Sequence, residues 1–134
     1  MKSIRLLGWM LLGTSLLQAC SSSLKFVPST VVPAATGTVQ TKQDKNKNYV
    51  IDVKLRNLAE PGNLTPAKKT YVVWMESKGN PTQKLGQLLP RSKELKADLS
   101  ATVTSKPTQV YLTAEDDAQV QQATGPVILS TNDR

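Results

Sequence analysis

Alternation of apolar and polar residues with a period of two runs through most of the chain after residue 36. In residues 49–56 and 95–104 every second residue is apolar, which is typical of strands with one face in a core and the other in water. Residues 70–76 are apolar on both faces, and this predicts a strand at the centre of a sheet. The predicted strands are residues 38–41, 49–56, 70–76, 84–89, 95–104, 109–114 and 126–130.

Seven short strands separated by turn residues predict an all-β fold, an immunoglobulin-like antiparallel β-sandwich. Because most of these strands alternate, each sheet has one solvated face, as in two sheets packed face to face. Inward-facing residues of both sheets are expected to form the core. The predicted core residues are Ile51, Val53, Leu55, Val72, Trp74, Leu99, Val103, Val110, Leu112, Val127 and Leu129.

The first residues follow a different pattern. Lys2 and Arg5 precede a mostly apolar stretch over residues 6–17. In a helix, the twelve residues of this stretch cover about 18 Å, well short of the ~30 Å hydrocarbon core of a bilayer. Residues 1–19 are therefore predicted to be a cleaved export signal rather than a permanent transmembrane helix.

The signal ends in Leu17-Gln18-Ala19-Cys20, which resembles the lipobox of bacterial lipoproteins. The resemblance implies cleavage before Cys20, a diacylglyceryl thioether on its thiol, and acylation of the new amino group by a fatty acid such as palmitate. Two or more acyl chains hold a protein at a membrane stably. The implied location is extracytoplasmic. Because Ser21 rather than Asp follows, it is the periplasmic face of the outer membrane in a Gram-negative host, and in a Gram-positive host it is the outer face of the cell membrane. The alternative is a soluble secreted protein with a free cysteine.

Residues 20–36 are predicted to be the lipidated cysteine and an extended linker, because three consecutive serines and two prolines favour an extended chain. The sandwich is then expected over residues 37–134. Leu24, Phe26 and Val27 are apolar, so the alternative that part of this segment docks on the domain stays open.

The composition excludes several chemistries. The chain has no His and one Cys, so Ser-His-Asp and Cys-His pairs, imidazole metal sites, internal disulfides and iron–sulfur cages are ruled out. No nucleophile with a neighbouring base is recognisable. We therefore predict no enzyme activity, no catalytic or metal-binding residue and no cofactor.

The net charge is +7, and removal of residues 1–19 leaves 15 basic against 10 acidic residues, a charge of +5. The basic residues are scattered in groups at residues 42–47, 68–69 and 91–96. Nucleic-acid binding would need basic residues interleaved with stacking aromatics, and aromatics are few. Solubility or weak attraction to anionic lipid headgroups accounts for the charge better.

Three charged groups are candidate sites. Glu115-Asp116-Asp117 lacks the spacing of a calcium loop and is predicted to be solvated. Asp52 and Glu76 could form the carboxylate pair of a glycosidase, but both are expected at outward or edge positions. Lys68-Lys69 beside Arg56 could bind an anion, and a solvated face is the expectation.

The aromatic residues offer one further candidate. Tyr71 and Trp74 could form a stacking surface for a glycan, although a tryptophan on a central strand is expected in the core. Tyr49 and Tyr111 are expected to be structural.

Segments over residues 37–131 resemble the extracytoplasmic C-terminal domain of anti-sigma-K factors. The segments that carry the resemblance are Thr70-Tyr-Val-Val-Trp-Met-Glu76, Gly79-Asn-Pro81, Leu85-Gly-Gln-Leu88, Val110-Tyr-Leu-Thr-Ala-Glu115 and Thr124-Gly-Pro-Val-Ile-Leu-Ser130. Ala123 stands where that family has a proline. The resemblance implies an extracytoplasmic sandwich, without the sigma-binding region and transmembrane helix of those factors.

The sequence therefore predicts a lipid-anchored envelope protein that binds or senses rather than catalyses. The expected partners are the membrane, through the lipid on Cys20, and an envelope protein or glycan, but no nucleic acid. The alternative is a structural lipoprotein that contributes to wall or membrane integrity.

Overall fold

The structure, a computed structural model, describes residues 21–132. Eight strands and one short 3-10 turn at Pro61–Asn63 make up the regular structure of this range. The strands are β1 Ser21–Lys25, β2 Thr36–Gln43, β3 Tyr49–Arg56, β4 Thr70–Glu76, β5 Gln83–Leu88, β6 Ala97–Val103, β7 Gln109–Glu115 and β8 Val127–Ser130.

The strands form two four-stranded antiparallel sheets. The first sheet has the order β1-β2-β3-β6 and the second sheet has the order β5-β4-β7-β8. Strands β1 and β2, β2 and β3, β4 and β5, and β7 and β8 are neighbours in both sequence and sheet, whereas the chain changes sheets after β3, β5 and β6. The predicted all-β sandwich is confirmed, with eight strands in place of about seven.

The core lies between the two sheets. Alternate residues of β3 and β4 fill it, among them Ile51, Val53, Tyr71 and Val73, each at most 1 % exposed. Strand β4 is central in its sheet and buries its other face as well, where Val72 and Trp74 form a second cluster with Tyr111. Such two-sided burial is what the uninterrupted apolar run of residues 70–76 requires.

Most predicted core residues are buried, with three corrections. Val72 and Trp74 are buried on the outer face of the second sheet and not between the sheets. Leu99 is half-buried. Val127 is 37 % exposed because it is the first residue of β8, an edge strand.

The predicted linker is wrong for its first residues, and the domain begins earlier than residue 37. Ser21–Lys25 is strand β1, paired with β2 along its whole length. Beyond it, the Val27 amide donates to the Ser130 carbonyl of the second sheet. The physical reason is that the edge of β2 offers unpaired backbone groups, while Leu24 and Phe26 pack against the core.

Strand β6 begins two residues later than the alternation of residues 95–104 predicts. Arg91 and Lys96 form a bridge that closes a tight turn. Within this turn Leu95 has a φ of 48°, a left-handed conformation that no strand accommodates. Strand β6 therefore begins at Ala97.

Strand directions place four features at one end of the sandwich, which we call the basal end. Ser21, the first residue of β1, pairs with Lys42 beside the β2–β3 turn. Tyr49 pairs with Val103, so the β6–β7 turn is at the same end. The β4–β5 turn joins them through a 3.3 Å hydrogen bond from Asn80 Nδ2 to Ser105 Oγ.

Candidate functional site

The predicted lipidation site, Cys20, lies outside the described residues. Its peptide bond joins it to Ser21, which is exposed and is the first residue of β1. Ser21 faces Lys42 across the ladder at the basal end. An acyl group on Cys20 would therefore be attached within one residue of the folded sheet, with no spacer between them.

A buried carboxylate organises the outer face of the second sheet. Glu115 ends β7 and is 1 % exposed. Its Oε1 accepts hydrogen bonds from the Thr113 hydroxyl (2.7 Å) and the Thr124 amide (3.0 Å). Its Oε2 accepts from the Thr124 hydroxyl (2.6 Å) and the Gly125 amide (3.0 Å). Four donors satisfy both oxygens, as a buried charge requires.

These hydrogen bonds decide the protonation state of Glu115. Burial alone raises the pKa of the Glu115 carboxyl, because it disfavours the charged form. The bonds from Thr113, Thr124 and Gly125 stabilise the carboxylate and together outweigh burial, so the pKa is lowered below its ordinary value. Glu115 is therefore ionised at neutral pH.

Glu115 holds the segment of residues 116–126, which we call the covering loop, against the sheet. Gly125 fits because any side chain there would meet the Ala114 carbonyl oxygen, 1.7 Å from the position of a Cβ. Lys84 Nζ donates to the carbonyls of Ala118 and Val120. Val120 itself packs on the aromatic cluster. The loop is fixed at its end and in its middle.

The covering loop buries an aromatic pair. Trp74 and Tyr111 are cross-strand partners on this face, 1 % and 5 % exposed. Trp74 Nε1 donates to Thr113 Oγ1 at 2.8 Å, and that hydroxyl in turn donates to Glu115. The Trp74 indole, the Thr113 hydroxyl and the Glu115 carboxylate thus form one continuous chain of hydrogen bonds. Together with the donors Thr124 and Gly125, we call this chain the Glu115 network.

A cavity of about 370 Å³ lies where the covering loop meets the β4–β5 turn. It is lined by Trp74, Pro81, Thr82, Tyr111, Gln121, Gln122 and Ala123. Its size falls in the range of small-molecule sites. The exposed amides of Gln121 and Gln122 and the Thr82 hydroxyl are able to hydrogen-bond to hydroxyls, whereas the Trp74 and Tyr111 rings are buried in the wall of the cavity.

The candidate stacking surface of Tyr71 and Trp74 does not form, because residues three apart in a strand lie on opposite faces of the sheet. Tyr71 lies in the core, and its hydroxyl donates to the Ala59 carbonyl at 2.8 Å. Burial, and to a smaller degree the Glu60 carboxylate, raises the pKa of Tyr71 to about 12. Trp74 instead packs with Tyr111 on the outer face of the second sheet, whereas Tyr49 is half-buried and packs against the core.

The carboxylates proposed as a pair are far apart in the fold. Asp52 is on the outer side of the first sheet, between the inward residues Ile51 and Val53. Glu76 ends β4 in the second sheet on the side of Trp74, which faces away from the first sheet. The sandwich core separates the two side chains, so they cannot share a substrate.

The acidic run at residues 115–117 splits into three roles. Glu115 is buried, Asp116 forms an ion pair with Lys68 at 2.9 Å, and the Asp117 carboxylate accepts from the Gln119 amide. Among residues 21–132 no three metal-ligating side chains come together.

The basic candidates also separate. Lys68 pairs with Asp116, and the Lys69 amide donates to the Glu115 carbonyl. Arg56 lies instead on the outer side of the first sheet, in an open groove of about 730 Å³. The charged residues that line this groove are Lys25, Lys54, Arg56, Lys96 and Asp98.

The Glu115 network could not be read from the sequence, where its members stand at residues 74, 113, 115, 124 and 125. Hydrogen bonds between segments so far apart along the chain leave no local pattern in the sequence.

The chain matches no protein-family model, and no curated protein or solved structure is significantly similar to it. Over residues 21–132 there is also no helix with the length and apolar composition needed to cross a bilayer.

Proposed function

We propose that this chain is a lipid-anchored envelope protein whose β-sandwich binds a partner outside the cytoplasm and catalyses no reaction. The observation that carries the proposal is the lipobox-like Leu17-Gln18-Ala19-Cys20 placed after an apolar signal and directly before the first strand. Ser21 is exposed at the basal end, so the cysteine is attached where acyl chains can leave the fold without crossing it.

The best-supported binding site is the cavity beside the covering loop, and the class of ligand that its chemistry fits is a glycan. Gln121 and Gln122 are exposed and carry amides that donate and accept hydrogen bonds, while Trp74 and Tyr111, which are 1 % and 5 % exposed, form the inner wall of the cavity. This proposal replaces Tyr71 with Tyr111 as the partner of Trp74.

The resemblance to the extracytoplasmic domain of anti-sigma-K factors supports the same class of module. Its segments lie in β4, β5, β7, β8 and the turns between them, so they all belong to the second sheet. A binding or sensing role follows from that resemblance, without sigma inhibition.

Localisation tests the anchor. The full chain, expressed in a Gram-negative bacterium, should fractionate with outer membranes, and Cys20→Ser should lose this location. Ser21→Asp is the matched control, because it keeps the lipid but introduces the aspartate that retains lipoproteins in the inner membrane. A Cys20→Ser chain that still fractionates with outer membranes would show that the anchor is elsewhere.

Titration with soluble peptidoglycan fragments, followed by tryptophan fluorescence, tests the binding site. Gln121→Ala/Gln122→Ala should weaken binding about 30-fold, because the two lost hydrogen bonds contribute about 1 kcal/mol each. Gln40→Ala, an exposed glutamine on the first sheet, should bind as the wild type does. Equal binding by all three proteins would exclude the cavity.

A further inference from the structure

Five exposed lysines gather at the basal end, around the residue to which Cys20 is joined. They are Lys42, Lys45, Lys47, Lys78 and Lys106. Lys42 is the ladder partner of Ser21. Lys106 lines a cleft of about 290 Å³ together with Ser21 and Ser22. The β2–β3 turn supplies Lys45 and Lys47, and the β4–β5 turn supplies Lys78.

Acidic residues on these same elements offset the lysines only in part. Among residues 21–132, Asp44 and Glu76 are the acidic residues of the basal end, against five lysines, so an excess of three positive charges remains there. The Asp44 carboxylate is occupied within its turn, because Oδ1 accepts from the amides of Asn46 (2.8 Å) and Asn48 (2.9 Å). These two bonds shape the hairpin that presents Lys45 and Lys47 to solvent.

Because no spacer separates Cys20 from strand β1, the basal lysines lie close enough to a membrane for its anionic headgroups to attract them. Adjacent Cα atoms are 3.8 Å apart and ladder partners about 5 Å apart, so Lys42 lies within about one Debye length of a lipid on Cys20. A stretched linker over residues 21–36 would have placed the domain roughly 50 Å away, where salt screens the attraction completely. Pairing of β1 with β2 removes that distance.

We infer that the basal end rests on the headgroups of an anionic phospholipid bilayer, so that the sandwich stands in one orientation on the membrane. The inference rests on the lipid anchor of the proposed function. Each basic residue near an anionic surface strengthens the contact by a factor of about five. The groove on the first sheet is a weaker candidate, because Lys25, Lys54 and Arg56 lie toward the opposite ends of their strands.

The experiment uses the processed, lipidated chain, purified from bacterial membranes and reconstituted on vesicles of phosphatidylcholine alone or mixed with phosphatidylglycerol. An environment-sensitive fluorophore on Asn46→Cys reports contact through quenching by headgroup-labelled lipid. The Cys20 sulfur, held in a thioether, does not react with the dye. Quenching is expected on the mixed vesicles only, and it should vanish in about 1 M salt, where the Debye length is about 3 Å.

Two charge-matched variants locate the contact. Lys42→Gln/Lys45→Gln/Lys47→Gln should weaken it on the order of 100-fold, whereas Lys25→Gln/Lys54→Gln/Arg56→Gln should leave most of the quenching in place. Thermal melts confirm that both variants fold.

The outcomes separate the two proposals. A chain that floats with both kinds of vesicle but is quenched on neither overturns the inference and leaves the anchor standing. Equal loss of quenching in both variants also overturns it, since the basal end would then have no special role. A chain that does not float with phosphatidylcholine vesicles refutes the anchor and, with it, this inference.

Discussion

The outer faces of the two sheets differ in polarity and in exposure to solvent. The outer face of the first sheet is polar, and its residues Gln40, Lys54 and Ser100 are exposed. The second sheet hides Trp74 and Tyr111 beneath the covering loop. Both sheets use the same core, so the difference lies in what a strand carries on its second face. An apolar second face needs a cover, and here the Glu115 carboxylate and the Lys84 ammonium group hold that cover in place.

The largest expected effect is at Trp74. Trp74→Ala should lower the free energy of unfolding by roughly 3 to 5 kcal/mol, because a large buried side chain is lost and a cavity remains. Val50→Ala, on the half-buried outer face of the first sheet, should cost about 1 kcal/mol or less. Chemical denaturation measures both. Similar losses for the two variants would mean that the second sheet is not the one with a buried outer face.

Glu115→Gln should have the next largest effect. An amide nitrogen cannot accept the bonds from Thr124 and Gly125 that Oε2 now accepts, so the loss should be about 1 to 3 kcal/mol. Asp52→Asn on the first sheet is the matched control and should change stability by about 0.5 kcal/mol or less. If Glu115→Gln were as harmless as the control, another contact would have to hold the covering loop.

The Glu115 carboxylate also makes the free energy of unfolding depend on pH. Because the folded-state pKa of Glu115 is lowered, its ionised form stabilises the fold fully above the ordinary glutamate pKa of about 4.3. This contribution is lost as the pH falls through the lower folded-state value. Unfolding free energies of the wild type should therefore decline below about pH 4 more steeply than those of Glu115→Gln. Parallel pH profiles for the two proteins would contradict the network.

Lys84→Met should have the smallest effect. Lys84 donates to two carbonyls of the covering loop, and the loss should be about 1 kcal/mol. Its local signature is faster amide hydrogen exchange in residues 118–124 with little change in the strands. Lys54→Met on the first sheet should leave exchange unchanged throughout. Unaltered exchange in the Lys84 variant would show that these bonds do not hold the loop.

The two sheets also differ in how well their sequences predict them. Strand β3 follows from strict alternation, because one apolar face fixes which residues point inward. In β4 both faces are apolar, so the pattern predicts a central strand. It does not distinguish whether Trp74 faces the other sheet or lies on the outer face. Tertiary packing assigns Trp74 to the outer face.

Other features left weaker traces in the sequence. Ser21–Ser23 carry no apolar periodicity, and their pairing depends on backbone hydrogen bonds that are independent of side chain. Glu115 reads as a solvated acid because its donors, Thr124 and Gly125, stand nine and ten residues further along. A local sequence pattern does not predict contacts between segments that are distant in sequence.

Mass spectrometry of the N-terminal peptide, taken from protein extracted from membranes, tests the central claim most directly. We expect a chain that starts at Cys20 and carries the added mass of a diacylglyceryl thioether and an amide-linked acyl group. A chain that retains residues 1–19 with a free Cys20 thiol would contradict the lipid anchor and the orientation argued from it.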